Sequence, residues 1–599
     1  AKRVDFRGAE IGDPEWIWEL NRCQDFPLLT AAWLVSGDDR YADAAADRLD
    51  SWIEGHPPGR GIAWSNGFEA SVRAISLAVA LDALRGSAHL PPERAERTLL
   101  SLWQHARWIE LGRSTGSSAN NHTIGELVGL VAIGCLAPEL ADSPGFVERG
   151  LAGLEHEVDL QIRSDGTSVE QAFGYHIFVI DLLLVATAVL DAVGHPLPNR
   201  IRAALGRSGD ALWAQIGENE LEPTYGDSDV SRAIILDGDE RRTGRAVACA
   251  IAARLGHAKA ARTAGALDAT GYWLFGKNGA ARFDALERAC GPGSVTLRDG
   301  GLTILRRGAA RVTLDHGPHG HLSIGAHAHA DALRLDVSYG RHELVVDPGV
   351  GSYVQRKLRE AFRSTGFHAT VDVDGKSSST PGGPFLWTTH APAELMFESV
   401  EGGLVLAAHR GYSRLPDPVA HTRAVALLDD ESIVMLDRLE GRGSHRYSQR
   451  WPLHPSLQLD SISSRAVALK GETNGLIIAF VASHKMDVAT AFGGDEPLAG
   501  FWSERLESVV PSLLISADVE ASGPVHIGAL LVLYRGDVAP CADIELDIED
   551  NVTRVRVAAE GAGAVVDVRF APPRVSVTRN LDAPPSTPRL SVGRGAASA

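Results

Sequence analysis

Cysteine is scarce in this chain of 599 residues, which has five cysteines without a CxxC pair or a repeated spacing. Three of them lie among apolar or small residues, so we expect buried free thiols rather than a disulfide framework. The sequence also lacks GxGxxG and GxxxxGKS/T loops, and it therefore indicates no phosphate-binding loop of those types. We expect no membrane-spanning helix, because no apolar run stands out as long enough to cross a bilayer.

Positive charge is in deficit. The chain has 58 Lys and Arg against 76 Asp and Glu, a net charge of −18 with a pI near 5.7. This balance disfavours nucleic acid and anionic membranes as partners, and a polyanionic substrate would need cations concentrated locally. The length and a hydrophobic content of 44% indicate a globular protein of two or three domains.

Two hydrophobic periods divide the chain. Up to about residue 274, apolar residues at three- and four-residue intervals predict helices at residues 28–35, 41–53, 69–84, 92–110, 123–136, 147–162, 170–193 and 201–216. Short turns between them favour a ring or arc of antiparallel helical pairs, with a plain bundle as the alternative. After Gly-Pro-Gly at 291–293, short alternating segments predict a β-sandwich or two stacked sheets, with strands at residues 294–297, 302–306, 311–315, 332–339, 344–347, 424–428, 432–436, 476–481, 525–534 and 552–558.

Residues 325–339 carry the most distinctive pattern. At the period of a strand, His327, His329 and Asp331 share one face with the apolar Leu333 and Leu335. Two imidazoles and a carboxylate that converge on one face suit zinc or a similar divalent ion. The alternative is a histidine-rich strand end that only faces water.

The chain after this stretch supplies two more candidate ligands. A hairpin near residues 339–340 would bring Asp347 back towards His329, provided that a bulge or a kink at Pro348 turns its side chain. His368 lies at the start of a later predicted strand. We therefore predict a three-ligand metal site of His329, Asp347 and His368, with Asp331 as a competing ligand or a partner of the ligands.

Polar residues also mark the start of one apolar helix. Asn120, Asn121 and His122 directly precede the helix predicted at 123–136, and one asparagine is explained as its N-cap. The other asparagine and the histidine would lie where the helix dipole and free N–H groups favour negative charge. A clamp for a substrate carboxylate and helix capping alone are both open interpretations.

The segment 165–176 contains further candidates. Capping by Thr167 or Ser168 is expected to explain Glu170. Tyr175 and His176 are two polar rings between apolar residues of a predicted helix, and a buried, hydrogen-bonded tyrosine is the alternative to a role in a site. A polar loop at residues 222–229 is expected to hold sugar hydroxyls or to brace the rim of a cleft.

Taken in order, these segments resemble the heparinase II/III-like family of polysaccharide lyases. The matching segments lie between about residues 14 and 455, at residues 18–22, 57–61, 120–122, 165–176, 327–331, 346–349 and 367–375. The resemblance implies an incomplete (α/α) toroid followed by an antiparallel β-sandwich, with the active site in the cleft between them. We place the helical domain at residues 1–285, the β-sandwich at 286–580 and a disordered tail at 581–599.

The resemblance also implies roles for individual residues. Asn121 and His122 match residues that neutralise the carboxylate of a uronate. Tyr175 matches the tyrosine that gives a proton to the leaving oxygen and in some members also abstracts one, and His327 matches a histidine at the catalytic centre. The metal ligands of some members, which hold a structural Zn²⁺, match His329, Asp347 and His368. Substrate binding is assigned to Glu19, Asn21, Arg22, Arg73, Asn120 and His176, with ion pairs between helices as the alternative for the charged residues.

The expected protein is thus a bacterial lyase that cleaves a uronate polysaccharide or oligosaccharide by β-elimination, with a homodimer as an open expectation. Because the chain opens at Ala1 rather than at Met, we expect a periplasmic or secreted protein if an upstream signal has been removed, and a cytoplasmic one otherwise. The net charge favours a lightly sulfated or carboxylate-only glycan of the heparan, hyaluronan or alginate kind.

Two other classes of protein remain open at this point. A glycoside hydrolase on a helical toroid would use Asp165 with Glu170, or Asp227 with Asp229, as its carboxylate pair. That reading leaves Asn121, Tyr175 and His327 without roles. A glycan-binding protein without catalysis is the third class.

Overall fold

The computed structural model describes residues 13–580, apart from residues 230, 240–241, 537 and 560–561. Helices dominate up to Asp284, and the first strand begins at Val295. The α+β order predicted from the sequence is therefore confirmed. The predicted tail at 581–599 and the first residues of the predicted helical domain lie outside the described part of the chain.

The helical half contains twelve α-helices among the described residues, and all eight predicted helices are present. The helices are α1 Pro14–Asn21, α2 Asp25–Ser36, α3 Asp39–Gly55, α4 Gly67–Leu84, α5 Pro92–Leu111, α6 Asn121–Leu136, α7 Ser143–Gln161, α8 Phe173–Ala192, α9 Asn199–Gln215, α10 Gly244–Leu255, α11 Ala258–Ala264 and α12 Ala269–Asp284. The sequence pattern did not predict α1, α10, α11 or α12.

Two layers of helices build this half. In α6 every residue except His122 is buried, and α4 and α8 are buried along nearly their whole length. In contrast, α5, α7 and α9 bury one face each. A Cβ on Gly129 of α6 would lie 2.6 Å from the Cβ of Ser71 in α4, so glycine lets these two inner helices approach closely. The paired double layer is that of a helical toroid.

One helix corrects an expectation from the sequence. Helix α8 is 20 residues long with a mean hydropathy of 2.0 over its most apolar window, so by length and composition it could cross a membrane. The expectation that no apolar run is long enough is therefore wrong. In this structure 89% of that window is buried inside the protein, because α8 is an inner helix packed on all sides by the toroid. Of the five cysteines, Cys23, Cys135 and Cys249 are buried and all five are free thiols, which confirms the prediction.

The β half is antiparallel. It contains one helix, α13 Arg356–Phe362, and the strands β1 Val295–Leu297, β2 Leu302–Arg307, β3 Ala310–Asp315, β4 Leu335–Tyr339, β5 His342–Val345, β6 Val371–Val373, β7 Thr380–Gly383, β8 Leu386–Thr389, β9 Ala393–Ser399, β10 Leu404–His409, β11 Ala420–Leu427, β12 Ser432–Pro452, β13 Gln458–Ile462, β14 Ala466–Lys470, β15 Asn474–Ala482, β16 Met486–Phe492, β17 Gly494–Asp495, β18 Leu498–Ala499, β19 Phe501–Arg505, β20 Ser508–Pro511, β21 Leu513–Arg535, β22 Ala542–Glu549, β23 Val552–Ala559, β24 Ala562–Phe570 and β25 Pro573–Asn580.

Three sheets stack in layers. Strands β1 to β5 form one sheet in sequence order, a ten-stranded sheet is built around the long pair β12 and β21, and β22 to β25 form a third sheet. Alternate residues of the large sheet face opposite layers: Val425 and Leu427 pack with the first sheet, and Ala424 and Ala426 pack with the third. The predicted sandwich is therefore confirmed, with the large sheet as its middle layer.

The histidine-rich stretch is not a strand over its whole length. Strand β4 begins at Leu335, whereas residues 325–334 form turns and irregular structure. Leu333 has a positive φ of 63°, which breaks the extended conformation that a continuous strand requires. His327 and His329 therefore lie on the loop that precedes β4. Backbone hydrogen bonds tie this loop to the helical half, because the N–H of Asp227 donates to the carbonyl of His327 at 2.9 Å.

Candidate active site

The N-terminus of α6 lies at the junction of the two halves. Asn120 is the N-cap, and its side-chain oxygen accepts a hydrogen bond from the N–H of His122 at 3.2 Å. Asn121 is the first residue of the helix and is buried. The His122 ring stacks on Phe68 with 4.4 Å between centroids, and burial lowers the pKa of His122 to about 4. This end of the helix therefore presents an amide and a neutral imidazole.

The amide donors of Asn121 hold a carboxylate of the protein itself. The backbone N–H and Nδ2 of Asn121 donate to Glu170 Oε1 at 3.1 and 3.0 Å, and Nδ2 also reaches Oε2 at 3.2 Å. Glu170 does not take part in capping its own helix as the sequence suggested, because α8 begins only at Phe173; it accepts the first backbone N–H of α6 instead. Its Oε2 lies 3.6 Å from Nε2 of His327. The structure thus shows that these donors can bind a carboxylate beside His327.

A small depression with about 200 Å³ of empty space lies beside Glu170 and His327. Its wall comes from the loop before α6, the loop before α8 and the histidine-rich loop. It is lined by Ser117, Asn120, Glu170, His321, Leu322, Ile324, Ala326 and His327.

Tyr175 lies in the first turn of α8 and faces the β half. Its ring stacks on the imidazole of His327, with 3.7 Å between centroids and 22° between planes. The hydroxyl donates to Asp229 Oδ2 at 2.9 Å and lies 3.3 Å from the hydroxyl of Tyr353. Burial, together with the Asp229 carboxylate, raises the pKa of Tyr175 well above its usual value. The phenol therefore keeps its proton in the resting protein.

Asp227 fixes the imidazole of His327. The Oδ2 atom of Asp227 lies 3.2 Å from Nδ1 of His327, and Oδ1 lies 3.1 Å from Nε2 of His329. Both guanidinium ends of Arg359 donate to the same carboxylate. Burial alone would raise the pKa of Asp227, but Arg359 and the two imidazoles hold it well below its usual range. An ionised Asp227 accepts the Nδ1–H of His327, so the neutral imidazole has its lone pair on Nε2.

The three predicted metal ligands lie together. The ligand atoms of His329, Asp347 and His368 are within 4.8 Å of one another, and all three residues are buried. Nδ1 of His329 lies 3.2 Å from Nε2 of His368, which is 3.5 Å from Asp347 Oδ2.

The outer nitrogens of the two histidines have fixed partners. Nε2 of His329 meets Asp227, and Nδ1 of His368 lies 2.7 Å from the carbonyl of Ser364. Each outer nitrogen therefore donates, and each inner nitrogen turns a lone pair towards the other two ligands. Two imidazole nitrogens 3.2 Å apart beside a carboxylate form a donor set that fits a divalent cation.

Asp347 reaches the histidines as the sequence argument required. The pairing of β4 with β5 shifts register between Val337 and Ser338, and Asp347 follows the end of β5. Its Oδ2 also accepts a hydrogen bond from Arg334 at 3.1 Å. Asp331, predicted as a competing ligand or a partner, pairs with the same arginine at 2.5 Å and is not in the ligand group of the described residues.

The residues assigned to substrate binding have mixed positions. Asn21 bonds the carbonyl of Ile17 at 2.8 Å and accepts from Trp52 at 3.2 Å. Arg73 is fully buried, with its guanidinium 4.4 Å from the Trp52 ring centroid, and it donates to His105. His176 is buried with no hydrogen-bond partner for either ring nitrogen among the described residues. Binding of substrate by these three side chains stays a prediction that their burial does not favour.

Arg22 and Glu19 approach the site more closely. Arg22 pairs with Glu69 through two hydrogen bonds of 2.9 Å and also contacts Glu15 and Glu19. Ser231 connects Glu19 to Asp229, the carboxylate that accepts the hydrogen bond of Tyr175. The hydroxyl of Ser231 donates to Glu19 at 3.0 Å, and its N–H donates to Asp229 at 2.9 Å. The helical wall beside Tyr175 is therefore rich in carboxylates.

Neither carboxylate pair expected of a hydrolase is free. Asp165 accepts bonds from Thr167 and from the backbone N–H groups of Asp299 and Gly300, while Glu170 is held by Asn121. Asp227 is occupied by Arg359, and Asp229 by Tyr175. The geometry gives no support to an acid and a base acting from opposite sides of a glycosidic bond.

Sequence reasoning missed several residues of the site. Asp227 and Asp229 were considered as a hydrolase pair and as part of the polar loop 222–229, but not as partners of His327 and Tyr175, and Tyr353, Arg359 and Phe385 were not considered. One signal was available: Arg359 and Arg363 are four residues apart and flank the apolar Phe362, a spacing that places two cations on one face of a helix.

The comparisons with known proteins agree with this fold. The profile "Heparinase II/III N-terminus" matches residues 1–237, and "Heparinase II/III-like, C-terminal" matches residues 290–504. A heparin-sulfate lyase of Pedobacter heparinus is 21% identical over 564 residues, which cover 92% of this chain and 78% of the relative. A heparin-sulfate lyase of Bacteroides thetaiotaomicron is 22% identical and covers 80% and 66%. The crystal structure of a heparinase III superposes with a TM-score of 0.70 at 18% identity and covers 92% of this chain and 82% of that one.

The two family matches and the lyase relatives define the enzyme class: the protein is a polysaccharide lyase. The chain belongs to the heparinase II/III-like family, as the ordered motifs of the sequence implied.

Proposed function

We propose that this protein cleaves a 4-linked uronate glycan by β-elimination, in the cleft between the toroid and the sandwich. The single observation that carries the proposal is the stacking of Tyr175 from the helical half on His327 from the β half at 3.7 Å. Two groups able to transfer protons thus lie together. Glu170 links them to the carboxylate-binding donors of Asn121, because it accepts from Asn121 and lies 3.6 Å from His327. Such an arrangement suits removal of a proton next to a carboxylate.

The reaction balances as follows. A base takes the proton from C5, the electron pair forms the C4–C5 double bond, and the bond from C4 to the glycosidic oxygen breaks. That oxygen takes a proton from an acid. We assign the base to Nε2 of His327, whose Nδ1–H is held by Asp227. Tyr175 is assigned as the acid, because burial and Asp229 keep its phenol protonated.

The uronate carboxylate must accept charge as C5 loses its proton. Asn121, His122 and the N-terminus of α6 supply donors for it, and such preorganised donors are worth several kcal/mol in a transition state. In the resting protein Asn121 holds Glu170 instead. A uronate therefore has to take over the Nδ2 donor of Asn121 from Glu170 when it binds.

A divalent ion, if bound, would be held by His329, Asp347 and His368. We propose Zn²⁺ on the chemistry of two imidazoles and one carboxylate. Its contribution would be structural, since it would fix His329, which shares Asp227 with His327.

The relatives narrow the class of substrate. Those compared are heparin-sulfate lyases, which favours a glycosaminoglycan of the heparan sulfate or hyaluronan kind over an alginate-like chain. The carboxylate of Asp229 beside Tyr175, with a net charge of −18, favours a glycan with few sulfo groups.

The test is a screen of the purified protein against uronate polysaccharides, with the ultraviolet absorbance of new C4–C5 double bonds as the signal. Tyr175→Phe and His327→Ala are each expected to lower kcat by roughly 10²–10⁴-fold on a substrate that the wild type cleaves. Reducing ends that form without double bonds would indicate hydrolysis. Equal activity of both variants and the wild type would contradict the assigned roles.

A further inference from the structure

Phe385 is an exposed aromatic ring beside the proton-transfer residues. It lies in the turn between β7 and β8 with 39% of its surface exposed. Its ring centroid is 6.0 Å from that of His327 and 5.2 Å from that of Tyr353. This exposed part of the apolar phenyl ring is available to a ligand.

Two buried arginines fix the position of this ring. Arg359 Nε and Arg363 Nη1 donate to the carbonyl of Pro384 at 2.8 and 2.9 Å, and Arg363 Nη2 donates to the carbonyl of Gly383 at 2.6 Å. Both arginines are almost fully buried. Charge-assisted hydrogen bonds to two successive carbonyls hold the tip of the hairpin in place. The ring is therefore exposed on a fixed hairpin, not on a flexible loop.

One face of the ring is already covered. The guanidinium carbon of Arg359 lies 5.0 Å from the Phe385 centroid, in the range of a cation–π contact. The rings of Tyr353 and His327 approach it at 62° and 67° between ring planes. The exposed 39% of Phe385 is therefore the surface that can receive a ligand, beside the position that we propose for the reacting sugar.

We propose that Phe385 is the platform for a sugar ring that flanks the reacting uronate. This inference rests on the proposed function. The axial C–H groups of a pyranose form an apolar face that packs on an aromatic ring without needing charge. A glycan with one sugar against His327 brings the neighbouring sugar within reach of a ring centred 6.0 Å away. Phe385 thus binds the polymer, and it takes no part in proton transfer.

The test uses the full chain with three variants on a glycan that the wild type cleaves. Phe385→Ala is expected to raise KM about tenfold with kcat unchanged, because a contact equal in ground and transition states affects binding only. Phe385→Tyr, which keeps the ring, should stay within about twofold of the wild type. Leu386→Ala is the matched control, since Leu386 is 38% exposed on the same hairpin and should change neither constant.

A second measurement separates binding from packing. Glycan affinity is compared between His327→Ala and the double variant His327→Ala/Phe385→Ala, and loss of the ring should weaken binding about tenfold. An unchanged KM and affinity in the Phe385→Ala proteins, or a fall in kcat alone, would overturn the platform. A wild type that produces no double bonds on any uronate glycan would instead contradict the proposed function.

Discussion

The two walls of the cleft hold their reactive groups by different means. On the helical wall, Asn121 and Tyr175 take their places from the starts of α6 and α8, so local helix geometry sets their positions. On the β wall, His327 lies on an irregular loop and is held by a buried chain of contacts from Arg359 through Asp227 to His329 and His368. Hydrogen-bond networks of this kind act as a unit rather than as independent pairs.

The walls also differ in how their charges are balanced. On the β wall Asp347 pairs with Arg334, and Arg359 pairs with Asp227, which the helical half contributes. On the helical wall Arg22 alone meets Glu15, Glu19 and Glu69. Burial raises the pKa of Glu15 to about 8. The protonation of Glu15 on the helical wall therefore changes near neutral pH, whereas Asp227 stays ionised because Arg359 and two imidazoles hold its pKa well below the usual range.

The largest effect is expected where the β network is cut at its centre. Asp227→Asn removes the charge that orients His327 and His329, so we expect turnover and metal affinity to fall by roughly 10–100-fold. The measurements are kcat and the bound metal per chain by elemental analysis. Asp229→Asn on the helical wall is the matched variant, because an amide oxygen still accepts from Tyr175 and no predicted metal ligand touches Asp229.

For Asp229→Asn we therefore expect a smaller loss of kcat and unchanged metal content. Circular dichroism and a melting curve identify any variant that has simply unfolded. Equal metal loss in both variants, with both folded, would show that the two walls do not differ in the way described.

A smaller effect is expected from Arg359→Lys. A lysine keeps the charge but cannot donate to both oxygens of Asp227 and to Pro384 at once. We expect kcat to fall about tenfold, a loss of about 1.4 kcal/mol, with little change in KM. Arg363→Lys is the control, since Arg363 binds carbonyls of the same hairpin but makes no hydrogen bond to Asp227 among the described residues.

Arg363→Lys should leave kcat unchanged, and only KM should respond through the hairpin. Added guanidinium should partly restore an Arg359→Ala protein and should not help an Arg363→Ala protein. If both arginine-to-lysine variants lost kcat equally, the hairpin rather than Asp227 would be the reason.

The same contrast explains what the sequence could predict. Helices α2 to α9 follow from apolar residues at three- and four-residue intervals, and the N-cap at Asn120 follows from residue type. The metal group of His329, Asp347 and His368 was predicted because few residue types bind divalent metals and because a tight hairpin at residues 339–340 brings Asp347 back towards His329. Each of these inferences uses neighbours along the chain.

The rest of the site could not be predicted in this way. Asp227 and Arg359 are 132 residues apart and meet only when the two halves pack. Glu170 was interpreted as part of a helix cap because Thr167 and Ser168 beside it are typical capping residues. Its partner in the structure is Asn121, 49 residues away. The strand predicted through residues 327–334 failed because alternation in sequence does not report the positive φ of Leu333.

The smallest effect on turnover is expected from Glu126→Gln, which probes a long-range contact of the helical wall. Glu126 is fully buried in α6, and both the N–H and hydroxyl of Ser114, in the loop before Asn120, donate to it at 2.8 Å. Burial raises its pKa from 4.5 to about 7. Because the folded pKa exceeds the unfolded one, the stabilisation is complete below pH 4.5 and is lost as the pH rises through 7. Between pH 5 and 8 the wild type should therefore lose about 2.5 kcal/mol of unfolding free energy that Glu126→Gln retains. Denaturant unfolding of both proteins at the two pH values measures this difference, and parallel pH dependence would show that Glu126 does not titrate there.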